Sequence, residues 1–258
     1  MIKLLFMGRK PVAAKLLRYI VKTGFYDVVG VVTDSHLEGS TTNTAAQELD
    51  IPVFTLEEVE EAVTNKTIYF DLALSILFWR RIKEPLLSFP KKGVINFHPA
   101  PLPDYKGTGG YNFAILDRLK EWEVTAHYVD ETIDTGDIIK SKALPIDIER
   151  ETAQSLERRS IRVLYQLVLD VLAMVRHTEE RLETRPNIGG RYISREEMEL
   201  HKKINEGDDV DTKVRAFWFP PYDGAYVEID GKRFTLISEE ILRELAPEGV
   251  THLFKKSS

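Results

Sequence analysis

An amide and an imidazole lie two residues apart where an apolar stretch runs into a proline-rich bend. The segment is GVINFHPAPLPDYKGTGG, residues 93 to 110, and the two side chains belong to Asn96 and His98. Residues two apart on a strand share one face, so both side chains would point into one space. There an amide N–H can stabilise an oxyanion, and an imidazole can carry a proton. The prolines would hold both groups still, so that donor and proton carrier are pre-organised.

A candidate partner for the imidazole lies 36 residues after His98, at Asp134. It belongs to the short acidic loop of residues 131 to 135, and Thr135 and Gly136 follow it. Taken alone, an Asp-Thr-Gly run is typical of a turn. A carboxylate at a strand end can also orient a paired imidazole. Asn96, His98 and Asp134 are therefore candidates for a shared site.

The residue types that are missing narrow the chemistry. The chain has no cysteine, which excludes a disulfide framework, a thiolate metal site and a cysteine nucleophile. It also lacks the GxGxxG turn, the P-loop, the HExxH zinc motif and the GxSxG elbow. We therefore predict no metal and no protein nucleophile.

The segments around these residues predict an α/β fold. Five near-continuously hydrophobic segments are typical of strands covered on both faces, namely residues 2–8, 28–34, 51–55, 70–78 and 93–98. Helical patterns lie between them at residues 11–24, 44–50 and 55–65. This alternation predicts a Rossmann-like, mostly parallel sheet with helices on both faces. Ligands of such sheets lie beyond the carboxyl ends of the strands, where Asn96 and His98 are found.

The second half of the chain predicts the end of one domain and a smaller one after it. A helix at residues 111–120 and strands at 123–130 and 136–146 precede a long amphipathic helix from 152 to 176. We expect this helix to close a catalytic domain of residues 1–180. The remaining residues, 181–258, predict a small C-terminal domain with a β-hairpin, because Asp230-Gly231 separates two alternating segments.

Charge and hydropathy restrict the partners and the compartment. The net charge is −6, which does not favour a polyanionic partner such as tRNA or DNA. The chain has no run of about 18 apolar residues, and its first residues, MIKLLFMG, are too short an apolar stretch for a signal peptide. The prediction is a cytoplasmic protein with no membrane and no nucleic-acid partner.

The motifs together resemble a known enzyme family. They are Asn96-Phe97-His98-Pro99, Leu102-Pro103, Tyr105-Lys106-Gly107 and Asp134-Thr135-Gly136. Over residues 1–176 the chain resembles the N10-formyltetrahydrofolate-dependent formyltransferases. The chain is similar to the sugar N-formyltransferases that act on nucleotide-linked amino sugars in its length, in GRKP after the first strand and in FPPYDGA near the C-terminus. The resemblance implies the formyltransferase fold, N10-formyltetrahydrofolate as co-substrate, and Asn96, His98 and Asp134 as catalytic residues.

The resemblance also implies a folate pocket between two loops. One loop follows the fourth predicted strand, and the other is the acidic loop before Gly136. The predicted folate-binding residues are Ile76, Phe78, Trp79, Arg80, Asp130, Glu131, Thr132 and Ile133. For the aromatic pair in the first loop, a simple cap on the core is the alternative interpretation.

A separate set of residues is predicted to bind the acceptor substrate: Gly8, Arg9, Lys10, Tyr105, Lys106, Gly110 and Tyr222. Arg9 and Lys10 lie beside a predicted helix N-terminus, which would attract a diphosphate. A solvated pair at a helix start is the alternative. Tyr222 could stack on a nucleotide base, or it could belong to a core or dimer cluster with the aromatic residues before it.

These residues predict transfer of a formyl group to the amino group of a nucleotide-linked amino sugar. The resemblance favours dTDP over UDP, as in dTDP-4-amino-4,6-dideoxyglucose, and a place in lipopolysaccharide O-antigen biosynthesis. The aromatic hairpin predicts a homodimer. One alternative is methionyl-tRNA formylation, although residues 181–258 hold 13 Lys and Arg against 15 Asp and Glu, where tRNA needs a basic surface. Glycinamide ribonucleotide formylation would need only the first domain and would leave the C-terminal residues unexplained. Alternatives of a different class are a hydrolase that releases formate from the folate and a catalytically silent nucleotide-binding module.

Overall fold

A seven-stranded sheet forms the centre of the fold in a computed structural model that describes residues 1–245. The first five strands are β1 (Ile2–Gly8), β2 (Tyr26–Val32), β3 (Val53–Phe54), β4 (Leu72–Ile76) and β5 (Val94–His98). A short strand, β6 (Tyr105–Gly107), lies outside the sheet, which is completed by β7 (Glu121–Tyr128) and β8 (Ile138–Pro145). The spatial order is β3-β2-β1-β4-β5-β7-β8.

Helices cover both faces of this sheet. They are α1 (Lys10–Thr23), α2 (Thr41–Glu48), α3 (Leu56–Thr64), α4 (Gly110–Leu116) and α5 (Ala153–Val175). One hydrophobic core lies between the sheet and α1, α2 and α5, and a second lies between the sheet and α3. The apolar stripe predicted on α5 is buried in the first core, at Leu164, Leu167, Val168, Val171 and Val175. The mostly parallel α/β architecture predicted from the sequence is therefore confirmed.

Local sequence signals set the helix ends. Pro11 lies in the first turn of α1, and Gly24 ends that helix with a left-handed φ of 67°. Helix α2 begins three residues before the prediction, because the Ser40 hydroxyl caps it by accepting a hydrogen bond from the Asn43 N–H at 3.3 Å.

Strand direction changes after β5. Strands β1 to β5 pair in parallel, whereas β7 pairs antiparallel with β5 and β8 antiparallel with β7. The carboxyl end of β5 therefore lies beside the carboxyl-terminal half of β7, with Asn96 opposite His127 and His98 opposite Thr125. The loop between β7 and β8 begins beside the start of β5, where the Val129 N–H donates to the Val94 carbonyl oxygen. Farther along this loop, the Glu131 carbonyl oxygen contacts Arg81, which follows β4.

The C-terminal region contains short elements: β9 (Arg191–Ile193), α6 (Arg195–Leu200), α7 (Val210–Phe217), β10 (Tyr226–Ile229), β11 (Lys232–Thr235) and α8 (Glu239–Glu244). The predicted hairpin is confirmed, since β10 and β11 pair antiparallel around Asp230-Gly231, both with positive φ. Residues 246–258 of the predicted C-terminal domain lie outside the described part of the chain.

This region packs closely against the rest of the fold. Val214 and Phe217 of α7 share a buried cluster with Ile115 of α4 and Ala153 of α5. Strand β9 pairs in parallel with β6, so the chain returns to the loop that follows β5. Across residues 1–245, no helix has the length and apolarity to cross a bilayer.

Candidate active site

The end of β5 places two polar side chains on one face of the sheet. Ile95 and Phe97 are buried in the core beneath α1 and α5, so the alternating residues Asn96 and His98 face the opposite side. The sequence therefore predicted correctly that the amide and the imidazole share a face.

His98 is fixed by a carbonyl on one side and faces a carboxylate on the other. Its Nε2 lies 2.8 Å from the carbonyl oxygen of Tyr105, and its Nδ1 lies 3.5 Å from Oδ1 of Asp134. A carbonyl oxygen only accepts hydrogen bonds, so Nε2 carries the proton of the first contact. The imidazole is thus oriented with Nδ1 toward the carboxylate.

Asp134 is ionised in the centre of this group. It has a left-handed φ of 56°, and its Oδ2 accepts a hydrogen bond from the Gly107 N–H at 2.9 Å. Burial opposes ionisation, but the neighbouring His98 and His127 and the Gly107 N–H together lower the pKa of Asp134 to about 2. The carboxylate is therefore charged at neutral pH and can hold a positively charged imidazole.

His127 belongs to the same group and was not predicted from the sequence. Its Nε2 lies 3.0 Å from Nδ2 of Asn96 and 3.6 Å from Oδ1 of Asp134, and its Nδ1 lies 2.7 Å from the Tyr128 carbonyl oxygen. The only signal was a histidine in the predicted strand just before the acidic loop. Using that signal requires knowing that β7 runs antiparallel beside β5.

Two neighbours fix the orientation of the Asn96 amide. The Ser75 hydroxyl donates a hydrogen bond to Oδ1 of Asn96 at 2.7 Å, which identifies the oxygen side of the amide. Nδ1 of His127 donates to a carbonyl, so its Nε2 accepts one Asn96 N–H in the neutral tautomer. Among residues 1–245, Nδ2 of Asn96 makes no other hydrogen bond, so its second N–H can donate to a ligand.

The two loops predicted to hold folate approach each other. The Arg81 guanidinium contacts the carbonyl oxygen of Glu131 and so joins the loop after β4 to the loop after β7. The rings of Phe78 and Trp79 lie 4.9 Å apart, and Trp79 and Ile133 are exposed. Exposed apolar side chains on two facing loops suit a flat aromatic ligand.

Other residues predicted for this pocket have structural contacts. The Ile76 side chain is fully buried in the core, so only its backbone is available to a ligand. Arg80 forms an ion pair with Glu57 of α3 at 2.5 Å. The Asp130 carboxylate accepts a hydrogen bond from the Thr132 N–H at 3.1 Å, which shapes the second loop.

The two charged residues after β1 contact different elements of the fold. Gly8 ends the strand, and the Arg9 side chain donates through Nε to the Leu77 carbonyl oxygen at 3.0 Å. Lys10 forms an ion pair with Glu157 of α5 at 2.7 Å. Arg9 is therefore attached to the loop after β4, whereas Lys10 lies toward α5.

Two residues predicted to bind the acceptor have side chains with other contacts. The Tyr105 hydroxyl donates to Asp117 at 2.8 Å. The Tyr105 ring lines a surface cavity with Arg191, and His98 is not part of that cavity. The Lys106 ammonium is buried and donates to the Gly189 carbonyl oxygen at 2.7 Å. The structure does not bring these two side chains to the remaining predicted acceptor residues.

A cleft of about 460 Å³ joins the candidate catalytic group to the C-terminal region. His98, Gly110 and Tyr222 all line it. The cationic side chains in its wall are Arg9, Lys10, Arg195 and Lys202, and the other aromatic residues include Phe217 and Phe219. Arg195 and Lys202, both in the C-terminal region, were not predicted, because no motif marks them.

Comparisons with known proteins identify similar sequences. A family model described as "Formyl transferase" matches residues 3–172. The methionyl-tRNA formyltransferase of Geobacter sulfurreducens is 29% identical over 96% of this chain and 81% of its own length. The methionyl-tRNA formyltransferase of Listeria monocytogenes is 30% identical over 92% of this chain and 78% of its own length.

Solved structures with the same fold include sugar N-formyltransferases. An N-formyltransferase from Helicobacter canadensis, in complex with folinic acid and dTDP-3-aminofucose, has a TM-score of 0.73 and 28% identity over 90% of this chain and 86% of its own. A 4-N formyltransferase from Francisella tularensis has a TM-score of 0.76 over 92% and 97% of the two chains. Its identity is 19%, so that likeness shows the fold alone.

Proposed function

The chain belongs to the formyl transferase family, and from that premise we propose that it formylates the amino group of a nucleotide-linked amino sugar, with N10-formyltetrahydrofolate as the donor. Formyl transfer itself follows from family membership. The proposal concerns the acceptor, with a dTDP-linked amino-dideoxy sugar as the favoured class. It also assigns the catalytic roles to Asn96, His98 and Asp134.

One observation carries this proposal: a single cleft is lined both by His98 and by side chains of the C-terminal region. Its volume of about 460 Å³ is in the range of small-molecule sites. Arg195 offers positive charge to a diphosphate, beside Lys10 and Lys202, whose ammonium groups form ion pairs with Glu157 and Glu199. Tyr222 is 67% exposed, so its ring can stack on a base. A nucleotide-linked amino sugar has a base, phosphates and an amine, which match the Tyr222 ring, the cations and His98.

The geometry of the candidate catalytic group fits formyl transfer to an amine. The amine nitrogen forms a bond to the formyl carbon, the formyl oxygen becomes an oxyanion, and the bond from carbon to folate N10 then breaks. The free N–H of Asn96 would donate to that oxyanion. Nδ1 of His98 would accept the proton that the amine loses and return it to N10, and ionised Asp134 beside Nδ1 would stabilise the imidazolium in between.

Support for the donor comes from the two loops that face each other beside this group. Trp79 and Ile133 present exposed apolar surface there, which suits the pterin of a folate. The Helicobacter canadensis structure holds folinic acid and a dTDP-linked amino sugar together. Its similarity to 90% of this chain supports the same pair of substrates here.

Methionyl-tRNA formylation is the second candidate, and the names of the sequence relatives favour it. Binding of tRNA depends on contacts between Lys or Arg and phosphates. Residues 181–258 have a net charge of −2, and acidic Glu199 and Asp223 line the cleft beside its cations. This charge distribution favours the smaller acceptor.

A panel of acceptors tests the proposal directly. The enzyme is incubated with N10-formyltetrahydrofolate and, separately, with 3-amino and 4-amino dTDP sugars, UDP-amino sugars, methionyl-tRNA or no acceptor. Mass spectrometry should show a formylated dTDP-amino sugar. Formylation of methionyl-tRNA alone would replace the proposal by the second candidate, and formate release without an acceptor would indicate a hydrolase.

Tyr222→Ala should raise the KM for the sugar nucleotide and leave the KM for the formyl donor unchanged. Loss of a base-stacking ring costs about 1–3 kcal/mol, which corresponds to an increase in that KM of roughly 5-fold to 160-fold. Steady-state kinetics with each substrate varied in turn measures both constants. Tyr19→Ala, which changes an exposed tyrosine of α1, is the matched control. An unchanged sugar-nucleotide KM would remove Tyr222 from the proposed site.

We also propose that the protein is a homodimer formed through the C-terminal hairpin. All four residues of β11 are exposed, and Ile229, Phe234 and Ile237 present large apolar side chains to solvent. Such a surface favours association with a second copy. Light scattering over a range of concentrations should give the mass of two chains. A one-chain mass at every concentration would contradict the proposal.

A further inference from the structure

We infer that Asn187, in the C-terminal region, is a positioning residue for the Asp134 carboxylate. This inference rests on the proposed function, because it assumes that Asp134 orients His98 during formyl transfer. It assigns to the C-terminal region a part in the catalytic centre itself, in addition to its part in the acceptor cleft. The evidence is the set of contacts that Asn187 and its neighbours make with two loops.

The Asn187 amide bridges both sides of the Asp134 turn. Its Nδ2 donates to the carbonyl oxygen of Asp134 and to that of Gly136, each at 2.9 Å. Two carbonyl acceptors around one atom identify that atom as the nitrogen. The residue is 7% exposed, and among residues 1–245 its Oδ1 has no hydrogen-bond partner. The side chain is therefore held in this turn by its two donated bonds.

The turn that Asn187 bridges has an unusual backbone. Asp134 has a φ of 56°, a left-handed conformation that residues other than glycine rarely adopt. A Cβ at position 136 would overlap the carbonyl oxygen of Tyr128, so glycine is required there. Such a backbone persists only where surrounding contacts hold it. Because the carboxylate projects from this backbone, contacts to the turn set the distance from Asp134 to His98.

The same segment also holds the loop on the other side of Asp134. Gly189 accepts a hydrogen bond from the Lys106 ammonium at 2.7 Å, and Gly190 packs so closely on the Pro103 carbonyl that a Cβ would overlap it. Strand β9 then pairs with β6, which contains the Gly107 N–H that donates to Asp134. Residues 187–193 thus connect both loops that position the carboxylate.

Asn187→Asp keeps the shape of the side chain and removes both donated bonds. The variant should lower kcat on the order of 10²-fold, because a displaced catalytic group costs that much, while the KM for each substrate stays nearly constant. Kinetics are measured per folded enzyme, with the acceptor that the wild type turns over in the panel. Asn65→Asp, the same change at the exposed end of α3, should match the wild type.

A double-mutant cycle separates positioning from a merely structural role. If Asn187 acts through Asp134, then Asn187→Asp combined with Asp134→Asn should be no slower than Asp134→Asn alone. Losses that multiply would overturn the inference. So would an unchanged kcat with a lower Tm, which is the result expected for a residue that only stabilises the fold.

A second variant covers the case in which Asn187→Asp does not fold. Asn187→Ser retains one donor and should give a kcat between those of the wild type and Asp134→Asn, whereas a wild-type kcat would overturn the inference. The proposed function fails separately. If Asp134→Asn keeps the wild-type kcat, both the role of Asp134 and this inference are wrong. If Asp134→Asn loses activity as expected but the Asn187 variants keep the wild-type kcat, only the role of Asn187 is wrong.

Discussion

Replacing His98 with asparagine is expected to lower kcat by on the order of 10²–10⁴, the usual contribution of a general acid-base group. The imidazole lies between the Tyr105 carbonyl and the ionised Asp134 carboxylate, at 2.8 Å and 3.5 Å. An asparagine has similar polarity and reach but cannot accept and return a proton. Since the proposed role is exercised in the transition state, binding of the sugar nucleotide and of the donor should change little.

Single-turnover kinetics and equilibrium binding of both substrates measure these two effects apart. His177→Asn makes the same replacement at an exposed position and should leave kcat unchanged. If His98→Asn keeps more than about a tenth of the wild-type kcat, the loss is smaller than a proton carrier should cause. The assignment of His98 would then be wrong, even if the enzyme formylates the expected acceptor.

The sequence was sufficient for the architecture because the buried strands and helices have strong local signals. Near-continuous apolar segments predicted the parallel strands, and their carboxyl ends predicted where Asn96 and His98 would lie. The turn after β7 was also predicted, and with it the position of Asp134. These features depend on periodicity and on the order of elements, and both can be recognised along the chain.

What the sequence did not predict depends on strand direction and on distant contacts. His127 approaches Asn96 only because β7 runs antiparallel to β5, and periodicity does not define direction. The Lys106 ammonium donates to the carbonyl oxygen of Gly189, which is 83 residues away. Asn187 reaches Asp134 from 53 residues along the chain, in a loop with no strand or helix pattern. Only the folded chain brings such polar groups together.

Asn96→Asp is expected to lower kcat by on the order of 10²–10³, the usual effect of removing one oxyanion donor. A carboxylate occupies the same volume as the amide and can still accept the hydrogen bond from Ser75. It has no N–H to donate, and its negative charge would repel the developing oxyanion. The change therefore removes the proposed stabilisation with little change in shape.

Ser75→Ala provides a graded comparison for this prediction. It keeps both N–H groups of Asn96 and removes the hydroxyl that donates to the amide oxygen. One neutral hydrogen bond contributes about 1 kcal/mol, so kcat should fall by roughly tenfold or less. If Asn96 donates to the oxyanion, Asn96→Asp must be much slower than Ser75→Ala at saturating concentrations of both substrates. Equal losses in the two variants would mean that Asn96 contributes to the packing of β4 against β5 rather than to the transition state.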